Sequence, residues 1–243
     1  MRLPGAGIIL SLGDMAFSLC QRQSRFGHAV RLSRAIQPLL RWASLYPLPP
    51  GVLDSELGHI LFRTLERLTR CGIEFDPILT VHGAEALSQG GALLISGHFF
   101  LNFLFIRWLH DQRQSVNVVL LRAAERVGVL GTHDSVEIIN PDAMSLIRIR
   151  RKVKAGSIVA IALDDPSPQE GRRRISLPSG TLFVSDKIFR FAERAGLPIL
   201  FLATRLTSDG EIIAHVVRPS SARAAVVFDE FCQFLQAELS QCF

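Results

Sequence analysis

The run 92–96, Ala-Leu-Leu-Ile-Ser, is apolar to its last residue and stops at Gly97–His98, where a mostly apolar segment of helical length takes over. A strand, a sharp exit and a helix are the natural reading of that order. In open α/β sheets ligands bind beyond the carboxyl ends of the strands, and a glycine there lets another backbone or a ligand come close. His98 is therefore a candidate chemical group, with a satisfied histidine in a buried turn as the alternative.

A chain of 243 residues is long enough for one large α/β domain, and no linker divides it. With 48% hydrophobic residues and a mean hydropathy of +0.28, the composition predicts an apolar surface as well as a core. The net charge of +5 favours anionic partners: phospholipid headgroups, phosphate-bearing acyl carriers or nucleic acid. Nucleic acid is disfavoured by a single Tyr, two Trp and no recognisable binding motif. Cys20, Cys71, Cys232 and Cys242 are scattered without zinc-site spacing, so no metal is expected. Asp14 interrupts the apolar opening, which predicts no spanning helix, and a lone Arg2 argues against a signal peptide. A Gly-x-Ser-x-Gly elbow and a phosphate-cradling glycine loop are both absent, which argues against a serine hydrolase and a nucleotide-binding turn.

Residues 26–46 set Val30, Ile36, Leu39 and Leu40 among Arg31, Arg34 and Arg41, the pattern of a basic amphipathic helix. Such a helix either lies on an anionic membrane or packs inward with its basic face in water. Prolines at 47–50 end it, and a second helix is predicted over 54–70. Strands are then predicted at 78–82, 92–96, 116–121, 135–139, 157–163 and 198–204, and helices at 99–112, 142–154 and 181–195. A hairpin is expected over 205–217 and an amphipathic helix over 224–239, with Val227, Phe231, Phe234 and Leu235 on one side. The expected fold is α/β: a mixed, largely parallel central sheet flanked by helices, with N-terminal amphipathic helices and a C-terminal helix.

Asn102 follows His98 by one helical turn, so a helix starting near His98 puts its amide within reach of the imidazole. Asp164 and Asp165 end the apolar run 158–163 and share a rim with His98 if the strands are parallel. They serve there as charged partners of His98 or as an ordinary solvated turn. Arg122 closes the strand at 117–121 and either holds a phosphate or oxyanion or pairs with Glu125 or Asp165. Arg172, Arg173 and Arg174 are expected in a loop, as a solvated turn or a site for phosphate.

With these residues in place the chain resembles the lysophospholipid acyltransferase superfamily, and within it the lipid A lauroyl or myristoyl acyltransferases. The resemblance rests on the strand and turn 94–99, the strand 118–122 ending in Arg122, the passage from Gly156 through Asp164 to Gly180–Thr181, and 191–200 with its Ala-Gly-Leu-Pro step. It implies a single acyltransferase-like domain over 1–243, with 1–72 a helical, membrane-facing part and 73–243 the α/β catalytic core. It also implies an acyl carrier protein or acyl coenzyme A as donor, a lipid or glycolipid acceptor, no cofactor, and a peripheral place on the cytoplasmic face of the inner or plasma membrane. His98 is then the general base for the acceptor hydroxyl, Asn102 orients it, and Asp164 or Asp165 supplies charge. Arg122, Gly97, Phe99 and Gly180 contribute to substrate binding, and Phe99, Phe100, Phe103 and Phe105 either line a groove for the chain or, for at least two of the four, pack as ordinary helix core. The family's acid five residues after the histidine is replaced by Phe103, with Asn102 one residue early. This departure leaves a second reading open, a non-catalytic homologue that binds acyl chains or an acyl carrier.

Overall fold

The computed structural model describes residues 79–97, 102–119, 136–165, 172–177, 180–206 and 212–240. The helices expected over 26–46 and 54–70 lie outside these residues. Almost everything described belongs to one unit, Leu79–Arg205 with Ile213–Phe243.

Alternation between two buried faces organises the sheet. In β2 (Ala92–Ser96), Leu93 and Ile95 enter one core while Ala92 and Leu94 enter the other. The same alternation divides Val159 from Ile158 and Ala160 in β5 (Ile158–Ala162), and Phe201 and Ala203 from Leu200 and Leu202 in β9 (Ile199–Leu206). Strands apolar on both faces are stable only when helices cover both, which is the doubly wound arrangement. With β1 (Leu79–His82), β3 (Val116–Val119), β4 (Glu137–Ile139) and β10 (Ile212–Val217) they form a seven-stranded sheet in the order β1-β10-β9-β2-β5-β3-β4. β2 runs parallel to both neighbours, with Leu94 opposite Ala160 on one side and Leu200 on the other. β3 runs parallel to both β5 and β4. The fold is α/β with a mixed, mostly parallel sheet, as the sequence predicts.

One face is covered by α1 (Asn102–Asp111), through Phe105, Ile106 and Leu109. The other is covered by α2 (Ser145–Lys154), α3 (Lys187–Ala195) and the C-terminal helix α4 (Ala224–Ser240). Helical spacing places Val227, Phe231 and Leu235 of α4 in the core, with Phe234 partly buried beside them. The α3 exit obeys local chemistry. Gly196 takes a left-handed φ of 61°, and the Gly196 and Leu197 amides donate to the Glu193 and Ala192 carbonyls. Gly91, just before β2, lies so close to the α2–β5 turn that a Cβ would strike the Val153 carbonyl.

Two expectations are corrected. Residues 181–185 are strand rather than helix: β8 (Gly180–Ser185) pairs antiparallel with β7 (Arg172–Leu177) and with the short β6 (Asp164–Asp165). The run Thr-Leu-Phe-Val at 181–184 favours extended backbone, and only β7 and β6 give it partners. For the same reason Arg172–Arg174 are strand rather than loop. A 3-10 helix, Ala84–Gln89, was not expected. No helix among the described residues is long and apolar enough to cross a membrane.

Phe231 is fully buried, with ring centroids 5.4 Å from Phe189 and 5.2 Å from Phe201. Phe231→Ala is expected to cost about 3–5 kcal/mol, read as a lower denaturant midpoint in equilibrium unfolding, since three elements meet on this ring.

Candidate functional site

The chain leaves neighbouring strands in opposite directions. After β2 it enters α1 on one face of the sheet, whereas after β5 it passes through the small antiparallel sheet to α3 on the other face. Two parallel strands whose connections diverge leave a crevice outside their carboxyl ends, and ligands of open α/β proteins bind in such crevices. β2 and β5 are adjacent in register, Ser96 opposite Ala162, and the Leu163 amide donates to the Ser96 carbonyl at 3.0 Å. The Gly97 turn and the start of the acidic pair thus sit side by side at one switch point.

Asn102, the first residue of α1, closes the rim. Its amide nitrogen donates to the Gly97 carbonyl at 2.9 Å and to Ser96 Oγ at 3.1 Å, while its oxygen accepts from Thr204 Oγ1 at 2.9 Å. The orientation of the amide follows from the network, because the Gly97 carbonyl can only accept. Ser96 and Thr204 are 6% and 3% exposed, and among the described residues both hydroxyls find a partner in this clasp. Ser96 is opposite Leu202 in β9, and strand alternation directs both Ser96 and Thr204 to the face that α1 covers. Asn102 therefore ties the ends of β2 and β9 to the helix that starts there, and it braces the backbone immediately before His98.

The predicted residues fall as follows. His98, Phe99, Phe100 and Arg122 lie outside the described residues, and Phe103 is described only as part of α1. Gly97 is buried at the rim. Because β3 is parallel, its end at Val119, three residues before Arg122, belongs to the same rim. Asp164 and Asp165 leave the rim as β6, opposite Val184 and Phe183. Gly180 opens β8 opposite Leu177 instead of preceding a helix, which corrects the strand-Gly-helix pattern expected there. Phe105 is fully buried in the core with Leu94 and Leu109, so it is a packing residue and not a groove wall.

Arg173 has a different task from the phosphate contact considered for its cluster. Its guanidinium lies 4.5 Å from the centroid of Phe228 and pairs with Asp229, both on α4, and the Asp229 hydrogen bond raises its pKa. Burial pushes the neighbouring Cys232 thiol up, against the opposing pull of Arg173. The small sheet is held to α4 by this contact. Sequence reasoning missed Ser96 and Thr204; the available signal was a hydroxyl ending each of two apolar strands.

The fold and this rim define a doubly wound α/β protein with a candidate site at its topological switch point. No protein-family model matches the chain, and no curated protein matches it significantly.

Asn102→Ala strands two buried hydroxyls and a carbonyl and is expected to lower stability by about 1–3 kcal/mol in denaturant unfolding. Thr204→Val combined with it should cost less than the sum of the single changes, because both remove the same contact.

Proposed function

We propose that the protein transfers a fatty acyl chain from an acyl carrier protein or acyl coenzyme A to a hydroxyl or amine of a lipid or glycolipid, with His98 as general base. The observation that carries this reading is the switch point at the carboxyl end of β2, since His98 follows the buried Gly97 directly in the sequence. The order of four sequence blocks resembling the lysophospholipid acyltransferases supports it.

In this reaction His98 takes the proton of the acceptor hydroxyl as the oxygen attacks the thioester carbonyl. The new C–O bond forms a tetrahedral oxyanion. Collapse then breaks the C–S bond, and the imidazolium returns its proton to the departing thiolate. Arg122 and backbone amides stabilise the oxyanion or hold a phosphate of the substrate. Asp164 or Asp165 balances the imidazolium charge in place of the acid missing at Phe103. Asn102 acts as a positioning residue, since both of its N–H groups are engaged by Gly97 and Ser96. Such a protein works on the cytoplasmic face of a membrane as a peripheral enzyme.

A second reading, acyl-chain binding without turnover, is favoured by the same engagement of Asn102 together with Phe103. Neither residue offers His98 a charged partner.

His98→Ala is expected to abolish acyl transfer in lipid vesicles supplied with labelled acyl carrier protein or acyl coenzyme A, while circular dichroism and the unfolding midpoint stay near wild type. Turnover retained by the variant overturns the mechanism. Lipid binding by a folded wild type that forms no product with either donor establishes the second reading.

A further inference from the structure

α2 has an unusual surface. Met144, immediately before it, and Leu146 and Ile147 in its first turn are 54%, 44% and 58% exposed. The other exposed large apolar residues among those described, Val217 and Val226, lie on separate elements. The helix carries no acid, and Arg150, Arg151 and Lys154 are exposed on the flank that continues from Ile147. Arg148 and Lys152 are already paired, with Asp142 and Glu137. The buried face, Ile149 and Val153, faces the sheet.

We propose that this face docks the protein on an anionic lipid bilayer. The lipid acceptor proposed above gives the docking its purpose, and that part of the inference rests on that reading. An amphipathic surface enters a bilayer by burying its apolar residues about 5–10 Å into the headgroup boundary while its cations meet lipid phosphates. A rise of about 1.5 Å per residue sets Arg150 and Arg151 roughly 4.5–6 Å behind Ile147, and Lys154 roughly 10 Å behind it. With the apolar turn at the acyl boundary, the cations fall at headgroup depth. An acidic polypeptide satisfies the cations but leaves the apolar turn in water, which is why a bilayer is the better match.

The position of α2 adds a consequence. β4 is parallel to β3, and α2 starts shortly beyond its carboxyl end, so the apolar turn lies on the same rim as Gly97. Three strand spacings of about 4.8 Å separate β4 from β2, placing the docked turn about 14 Å across the rim from the candidate site. Docking there turns the crevice toward the lipid.

Flotation of the full chain with phosphatidylcholine vesicles, with and without phosphatidylglycerol, tests this directly. Binding is expected to require phosphatidylglycerol and to weaken with salt. Leu146→Ser with Ile147→Ser should lower partitioning about tenfold or more, from the lost apolar burial. Arg150→Glu, Arg151→Glu and Lys154→Glu together should lower it about a hundredfold, at about fivefold or more per cation. Val217→Ser with Val226→Ser, on other surfaces, should change nothing. Equal partitioning of wild type and α2 variants overturns the proposal, as does wild-type binding indifferent to phosphatidylglycerol. Retention on polyglutamate without vesicle binding overturns it in favour of an acidic protein partner. Turnover of a detergent-dispersed acceptor is read separately: folded α2 variants retain it if the acyl-transfer reading holds, and its absence in the wild type counts against that reading without touching the vesicle result.

Discussion

A single side-chain amide holds together the strand ends on which the rim of this sheet is built. Parallel strands lose their ladder partners at their carboxyl ends, where the chain must turn away, and the freed polar groups need others. Asn102 supplies them for Gly97, Ser96 and Thr204 at once. In these partly buried surroundings each bond is stronger than in water and each loss more costly. The clasp joins β2, β9 and α1, so the geometry of the rim follows from it.

The rim has its character because the connections from β2 and β5 diverge. Each face of the sheet needs a helical cover, and one chain can supply both only by reversing its winding direction somewhere along the sheet. Here the reversal falls between β2, the central strand, and its neighbour β5. The small antiparallel sheet beyond β5 is anchored on the α4 side, where Ile175 and Val184 join the core and Arg173 reaches Phe228 and Asp229. The strand carrying Asp164 and Asp165 starts at the rim and pairs with β8.

Much of the fold is readable without coordinates. The strand at 92–96 and the apolar run at 157–163 are long uninterrupted apolar segments, and the helix at 224–239 shows a clear apolar stripe; these three appear within two residues of their expected bounds. Residues 172–185 carry no such local signal. Arg172–Arg174 have the composition of a solvated turn, and 181–185 continues without a break into a true helix. Only pairing between the two segments makes both of them strands, and pairing is a long-range property that a local pattern does not carry. Phe105 shows the same limit, because its position on a helix near His98 is equally compatible with a groove and with the core that it occupies.

For the site, the sequence by itself determined where chemistry can be placed: a glycine turn after a buried strand, with a histidine behind it and an acidic pair ending another such strand. Those are consequences of hydrophobic periodicity and of backbone freedom at glycine, which are local. The tertiary structure decided that the two strand ends are neighbours, that their connections lead to opposite faces of the sheet, and that Asn102 spends its amide on Ser96, Gly97 and Thr204. Which strands lie side by side depends on burying two faces of one sheet at once, and a hydrogen bond between residues 102 positions apart exists only after that burial has brought them together.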